Sequence, residues 1–209
     1  NLNKRTPRGS LWLPSLETLK VCHALLQNPN FFRMLLQIDI ELAAQSRAGG
    51  CQCGGVLHRA NYPRKPRACL NEIREDYEWR FSFCCHRCRK RATSMSVRFL
   101  GRRVYLGLAV VLMSAGRTEA SSEVADLSKL LAVRVRTIQR WRSWWAAQFP
   151  LTPLWQAACA RFMPPVDLSR LPGSLIERFA VSAAESLMRL LVFLSPLTVM
   201  HPVTLNEGC

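Results

Sequence analysis

Acidic residues are scarce. Fourteen Asp and Glu stand against twenty-nine Lys and Arg, a formal net charge of +15 with a pI near 10.2. Several of those acids sit together between Glu72 and Glu78. They leave little material for the two-metal carboxylate cluster of a transposase, and no alternating strand–helix pattern supplies the ribonuclease-H-like sheet that would carry one. Tyrosine is scarce too. Of Tyr62, Tyr77 and Tyr105, only Tyr62, beside Arg64 and Lys65, resembles a recombinase nucleophile among arginines, and a tyrosine flanking a basic strand is more often a packing or phosphate-contact residue. There is no His-x-Glu or His-Glu-x-x-His pattern of a catalytic zinc site. We assign no catalytic residue. No repeat and no low-complexity tract is present. The most apolar stretch, Phe179–Met200, is interrupted by Glu185, Arg189 and Pro196, so it reads as a buried or interface helix rather than a membrane span. Residues 1–10 are polar and basic and lack the charged-then-apolar pattern of a secretory signal.

Nine cysteines are an odd number, which argues for reduced thiols rather than a disulfide frame. The expected location is a reducing, cytosolic compartment. Five of the nine crowd into ten positions, Cys51-x-Cys53-Gly-Gly and Cys84-Cys85-His86-x-Cys88. Paired soft ligands on two tight turns suit one four-coordinate structural zinc ion. The preferred ligands are Cys51, Cys53, Cys85 and Cys88. The Cys51-x-Cys53 spacing is one residue tighter than usual and needs Gly54-Gly55 to turn the backbone towards the metal. Cys84 could replace Cys85, and His58 or His86 could replace a cysteine. Cys22, Cys69, Cys159 and Cys209 read as small packing residues. Four thiolates close the metal shell, so the ion would be structural, and its removal should unfold residues 51–100.

The expected fold is mainly α with a small β zinc ribbon. Residues 11–50 form a helical hairpin. Its first helix runs from a cap at Ser15 to Gln27 and is broken by Asn28-Pro29-Asn30. Its second carries Phe31, Leu35, Ile38 and Leu42 at helical spacing. Residues 51–100 form the ribbon, with strands at Val56–Tyr62, Trp79–Phe83 and Ser94–Leu100. Residues 101–150 hold a helix built on the apolar run Val104–Met113 and ending near Gly116, and then a helix-turn-helix. Residues 151–172 form a proline-containing linker with one short helix around Trp155–Phe162. Residues 173–200 carry a C-terminal packing or interface helix over 173–195.

In the helix-turn-helix, Val124–Leu131 forms the first helix, Ala132-Val133-Arg134 the turn and Val135–Gln148 the second helix. Ile138, Trp141 and Trp145 fall on its inner side. That leaves Val135, Arg136, Gln139, Arg140 and Ser143 outside, where two arginines, a glutamine and a serine can reach base edges in a major groove. Arg134, Thr137 and Arg142 suit phosphates. Ala132 stands where a turn glycine is usual, and Arg134 where a capping Ser or Thr is usual. Two further basic clusters complete the phosphate-contacting surface. One is Arg59 with Arg64, Lys65 and Arg67. The other is the acid-free run of Arg87, Arg89, Lys90, Arg91, Arg98, Arg102 and Arg103.

The stretches from Cys51 to Arg67 (CQCGGVLHRANYPRKPR), from Phe81 to Cys85 (FSFCC) and from Ser96 to Gly107 (SVRFLGRRVYLG) resemble a family of small bacterial proteins encoded in or near insertion sequences and loosely labelled transposase-related. The likeness spans about residues 20–195. It implies a zinc ribbon and a helix-turn-helix in a mobile-element protein, and no catalytic residue. The expected function is non-enzymatic, sequence-specific binding of double-stranded DNA, with recruitment or regulation of a recombinase, or self-association, through the terminal helices. The alternatives are a catalytic transposase or recombinase subunit, and an RNA-binding component of a mobile-element ribonucleoprotein. The last would need exposed aromatics on the ribbon, for which Tyr62, Trp79 and Phe81 are candidates, although they alternate as strand core does.

Overall fold

The computed structural model describes residues 24–100, 105–115, 128–179 and 182–199. The first long helix, α1, spans Pro29–Ala48. The Asn28-Pro29-Asn30 breaker is also its start signal. The Asn28 side chain accepts the N–H groups of Asn30 and Phe31, and Pro29 occupies the first turn, where no donor is needed. Phe31, Phe32, Leu35, Asp39 and Ala43 make the buried face. Most of the expected preceding helix lies outside the described residues.

Two small antiparallel sheets follow. Strands β1 (Leu57–Arg59), β4 (Ser82–Cys85) and β5 (Arg91–Thr93) pair in the order β1-β4-β5, with Leu57 opposite Cys85 and Ser82 opposite Thr93. Strands β2 (Tyr62–Pro63) and β3 (Trp79–Arg80) form the second ladder. The sequence expectation of a strand over Ser94–Leu100 is corrected. The third strand is Arg91–Thr93, and residues 94–100 run irregularly beside α1. The reason is polar: the Ser96 hydroxyl, the Val97 N–H and the Arg98 Nε all donate to the buried Asp39 carboxylate. A side chain that satisfies a backbone N–H competes directly with a ladder partner.

Between β2 and β3, two short 3-10 turns, Asn71–Ile73 and Glu75–Tyr77, drop Ile73 and Tyr77 into the interior, where the Tyr77 hydroxyl donates to the Phe32 carbonyl at 2.8 Å. Helix α2 (Gly107–Ala115) is buried on nearly every side, as its apolar circumference requires. Helix α3 spans Val135–Ser143 and continues as a π-helical turn over Trp144–Gln148. The expected linker contains α4 (Pro153–Ala158), capped by Thr152. The expected single helix over 173–195 is instead two, α5 (Gly173–Ile176) and α6 (Ala183–Leu194). Ser182 accepts the Glu185 N–H and starts α6 afresh. One hydrophobic core draws on residues from Leu26 to Leu194, including α1, α2, α3 and α6. A second, much smaller cluster of Ala43, Leu57, Phe83 and Cys85 lies under the cysteine turns. Among the described residues no single helix is long and apolar enough to cross a membrane.

Candidate metal centre

The two cysteine turns are shaped by backbone first. The Gly54 N–H donates to the Cys51 carbonyl at 2.8 Å, and Gly54 takes φ +75°, a left-handed conformation that costs glycine little. Gly55 then passes close to the second turn. A Cβ there would stand 2.5 Å from the Cys85 sulfur and 2.9 Å from the Arg87 Cβ, so only glycine fits without displacing a ligand. The register of β1 on β4 sets Leu57 against Cys85 and holds the two turns face to face.

The result is four sulfurs in one place. The Sγ atoms of Cys51, Cys53, Cys85 and Cys88 all lie within 4.8 Å of one another. Three pairs, Cys51–Cys88, Cys51–Cys53 and Cys53–Cys85, are 3.5 Å apart. Tetrahedral sulfur ligands at ~2.3 Å from a zinc ion would be separated by about 3.8 Å. The spacing therefore suits one small thiophilic ion, and this cysteine group could hold a metal.

The surrounding dipoles divide the thiols. The backbone N–H of Cys88 first, and that of Arg87 with it, point at the Cys85 sulfur and pull its pKa down to about 6. At Cys51 the Cys53 N–H acts in the same direction, but the neighbouring thiols of Cys53 and Cys88 outweigh it and push the pKa up to about 12. The site's own dipoles thus favour a thiolate at Cys85 and, where the neighbouring thiols crowd it, oppose one at Cys51. A divalent ion would relieve that crowding, because each ligand must be deprotonated to bind.

The alternative ligands fall elsewhere. The Cys84 thiol turns back to the Arg89 and Cys85 carbonyls. His58 and His86 meet edge to face, 6.0 Å between ring centres, and the His86 Nδ1 accepts the Val56 N–H. None of the three joins the sulfur cluster. For Cys84 and His58 the reason is alternation: they are cross-strand partners on the opposite side of the sheet from Cys85 and Leu57.

The basic residues separate into working surface and structural parts. Arg98 belongs to the basic run in sequence but not to its surface. It is 1 % exposed, ion-paired to Asp39 at 2.7 Å, and its guanidinium also donates to the Asp76 and Trp79 carbonyls. Arg87 donates to the Cys53 carbonyl and so braces a cysteine turn, while Arg91 donates to the Ala60 carbonyl and the Ser82 hydroxyl and ties the end of β1 to the start of β4; both remain exposed. Arg89 and Lys90 are exposed on the second turn, where Arg89 takes φ +59°. Arg64 and Arg91 flank the Tyr62 ring at 5.1 and 5.5 Å. Lys65 and Arg67 are exposed beside them. Arg102 and Arg103 lie outside the described residues.

Most of the expected first helix of the helix-turn-helix also lies outside the described residues. Its last turn, Ser128–Leu130, ends tightly. The Val133 N–H returns to the Ser128 carbonyl, the Ala132 N–H returns to that of Lys129, and Ala132 sits at φ +50°. This is the reciprocal pair of bonds that closes a helix through a left-handed residue. On α3, Ile138 and Trp145 are buried, and Trp141 packs edge-on against Tyr105 at 5.0 Å. Arg134, Val135, Arg136, Gln139, Arg140 and Ser143 are exposed, and Thr137 is half-buried.

Two residues carry more structure than the sequence reading allotted them. Asp39 is fully buried, and its only sequence signal is an acid four residues after Leu35 on the apolar stripe of α1. Arg80 is 2 % exposed and donates to the Ser94 carbonyl and the Thr198 hydroxyl. Burial lowers its pKa from the ordinary arginine value.

Fold and site together define a mainly helical protein with a small antiparallel sheet and a four-cysteine group suited to a metal ion. Comparison of the chain with protein-family models, with curated proteins and with solved structures finds no match.

Proposed function

We propose that this chain is a non-enzymatic, sequence-specific DNA-binding protein of a bacterial mobile element, in which one structural zinc ion staples a ribbon and α3 reads the major groove. The observation that carries the reading is the division of α3. Ile138, Trp141 and Trp145 anchor one side, while Arg136, Gln139, Arg140 and Ser143 project from the other with no acidic residue in the helix. A rigidly seated helix presenting bidentate donors is what direct readout of guanine and adenine requires. The left-handed turn at Ala132 supports a helix-turn-helix, because it lets the chain double back sharply before α3. The exposed cations of the ribbon, Lys65, Arg67, Arg89 and Lys90 among them, supply phosphate contacts on this reading. Zinc is favoured for the cysteine group because four thiolates in tetrahedral array, without an open position, suit that ion in a structural role. Partners of the element's recombination machinery, or a second copy, would bind through the terminal helices.

The test is a duplex-protection assay on DNA flanking the gene. Wild-type protein should protect a short site, with affinity falling by a log–log slope of about −0.9 per phosphate contacted as salt is raised. Arg136→Ala with Arg140→Ala should weaken that site roughly ten- to hundred-fold without lowering the Tm, since both side chains are exposed. Metal-dependent strand cleavage by the purified chain would instead establish a catalytic subunit.

One observation favours the RNA reading. Trp79 is 51 % exposed on the β2–β3 ladder, opposite Pro63. Tighter binding of a structured single strand than of any duplex, lost on Trp79→Ala, would replace the duplex reading.

A further inference from the structure

A groove of about 450 Å³ runs between α1 and the ribbon. Its size suits one small planar ligand. Phe81 and Phe83 form the wall on the sheet side, and Ala44 and Ala48 leave a low shelf on the helix side. Arg59, the cross-strand partner of Phe83, and Arg47, in the last turn of α1, line its rim. Both are exposed, and neither has an acidic partner among the described residues. Asn61 reaches the same space. Its Oδ1 accepts the Ser82 N–H, which leaves its amide nitrogen free to donate.

The aromatic wall is braced. The Arg98 guanidinium lies 4.8 Å from the centre of the Phe81 ring, and Asp39 holds that arginine in place. A fixed ring opposite alanines makes a slot, and the two guanidinium groups at the rim call for an anion. An aliphatic peptide side chain would fill the slot and leave both arginines and the Asn61 amide without partners. A nucleotide uses all three: a flat base for the rings, a base edge for the amide, a phosphate for the arginines.

We propose that this groove takes one unpaired nucleotide of DNA, its base against Phe81 and its phosphate at Arg47 and Arg59. The inference rests on the DNA-binding reading and deepens it: the substrate becomes duplex that carries an extrahelical base. A paired base cannot enter, because it must first leave the stack, and that cost is least where pairing is already absent.

The experiment compares three labelled DNAs by fluorescence anisotropy with the full, metal-loaded chain. They are a paired duplex, the same duplex with one bulged nucleotide, and the same bulge with an abasic residue. The bulged nucleotide should bind roughly five- to a hundred-fold more tightly than its abasic counterpart. Ala44→Trp fills the slot from an exposed helix position and should abolish that preference while duplex affinity and Tm stay unchanged. Arg47→Gln with Arg59→Gln should reduce it by a second route that leaves the apolar wall intact. Equal affinity for the base and the abasic residue overturns the inference, and so does a preference that survives Ala44→Trp. Tighter binding of the matching RNA bulge overturns the assignment to DNA. Duplex binding without the preference sinks only this inference, whereas failure to bind any of the three DNAs sinks the DNA-binding reading with it.

Discussion

Gly55 shows how narrowly one residue can control a candidate metal centre. Its missing side chain is the space in which the Cys85 sulfur sits, so Gly55→Ala should sharply lower the metal bound per chain, measured by elemental analysis. The ligand thiols also set a pH dependence. In the metal-free protein the Cys85 thiol has its pKa depressed to about 6 and Cys51 has its pKa raised to about 12. Above about 6, Cys85 is already a thiolate, and metal displaces no proton from it. Below that value, one more proton must leave for each ion bound. Apparent metal affinity should therefore fall as pH falls, and its slope should steepen by one proton below about 6. A chelator-competition titration over that range reads the slope, and a constant slope would refute the assignment. The cysteine pairs and the glycines beside them were legible in the sequence. The choice of Cys85 over Cys84 was not, because adjacent strand residues face opposite sides and only the pairing register says which side holds the partner turn.

At the scale of elements, the residues around the cysteine group divide into a part that a bound metal would hold together and a part anchored in the main core. Strands β1, β4 and β5 bury little beyond the small cluster of Ala43, Leu57, Phe83 and Cys85. The insert between β2 and β3, by contrast, places Ile73 and Tyr77 in the main core, which Val97 and Phe99 join further on. The sequence reading expected residues 51–100 to unfold as a unit on metal removal, and the structure narrows this. Chelation should release the amides of Leu57–Arg59, Ser82–Cys85 and Arg91–Thr93 to exchange, while those of Gly107–Ala115 stay protected. Hydrogen-exchange mass spectrometry distinguishes this from global unfolding. Helices α1 and α2 were legible from their apolar spacing. The split of 173–195 was visible only as a capping serine at 182, a signal that the continuous apolar pattern on either side obscured.

Over the whole molecule, Asp39 and Arg98 tie α1 to the segment that leads from the ribbon to α2. Both side chains are fully buried, and the carboxylate also holds the Ser96 hydroxyl and the Val97 N–H. Asp39→Ala would strand a guanidinium in the interior and should cost about 3–5 kcal/mol. Urea denaturation monitored by tryptophan fluorescence checks this, and a cost below about 1 kcal/mol, the range of exposed ion pairs, would show that the pair is dispensable.

The sequence by itself determined which residues could be ligands, which helices are amphipathic and how strongly the chain attracts anions, because those properties follow from residue type and local spacing. Only the tertiary structure decided that Arg98 serves the interior rather than the surface, that Cys84 turns away from the sulfur cluster, and that Phe81 lines a groove rather than filling the core. Each of those outcomes depends on a partner far along the chain, Asp39, the opposing turn at Cys51 and helix α1 respectively, and periodicity within one segment carries no record of what will pack against it.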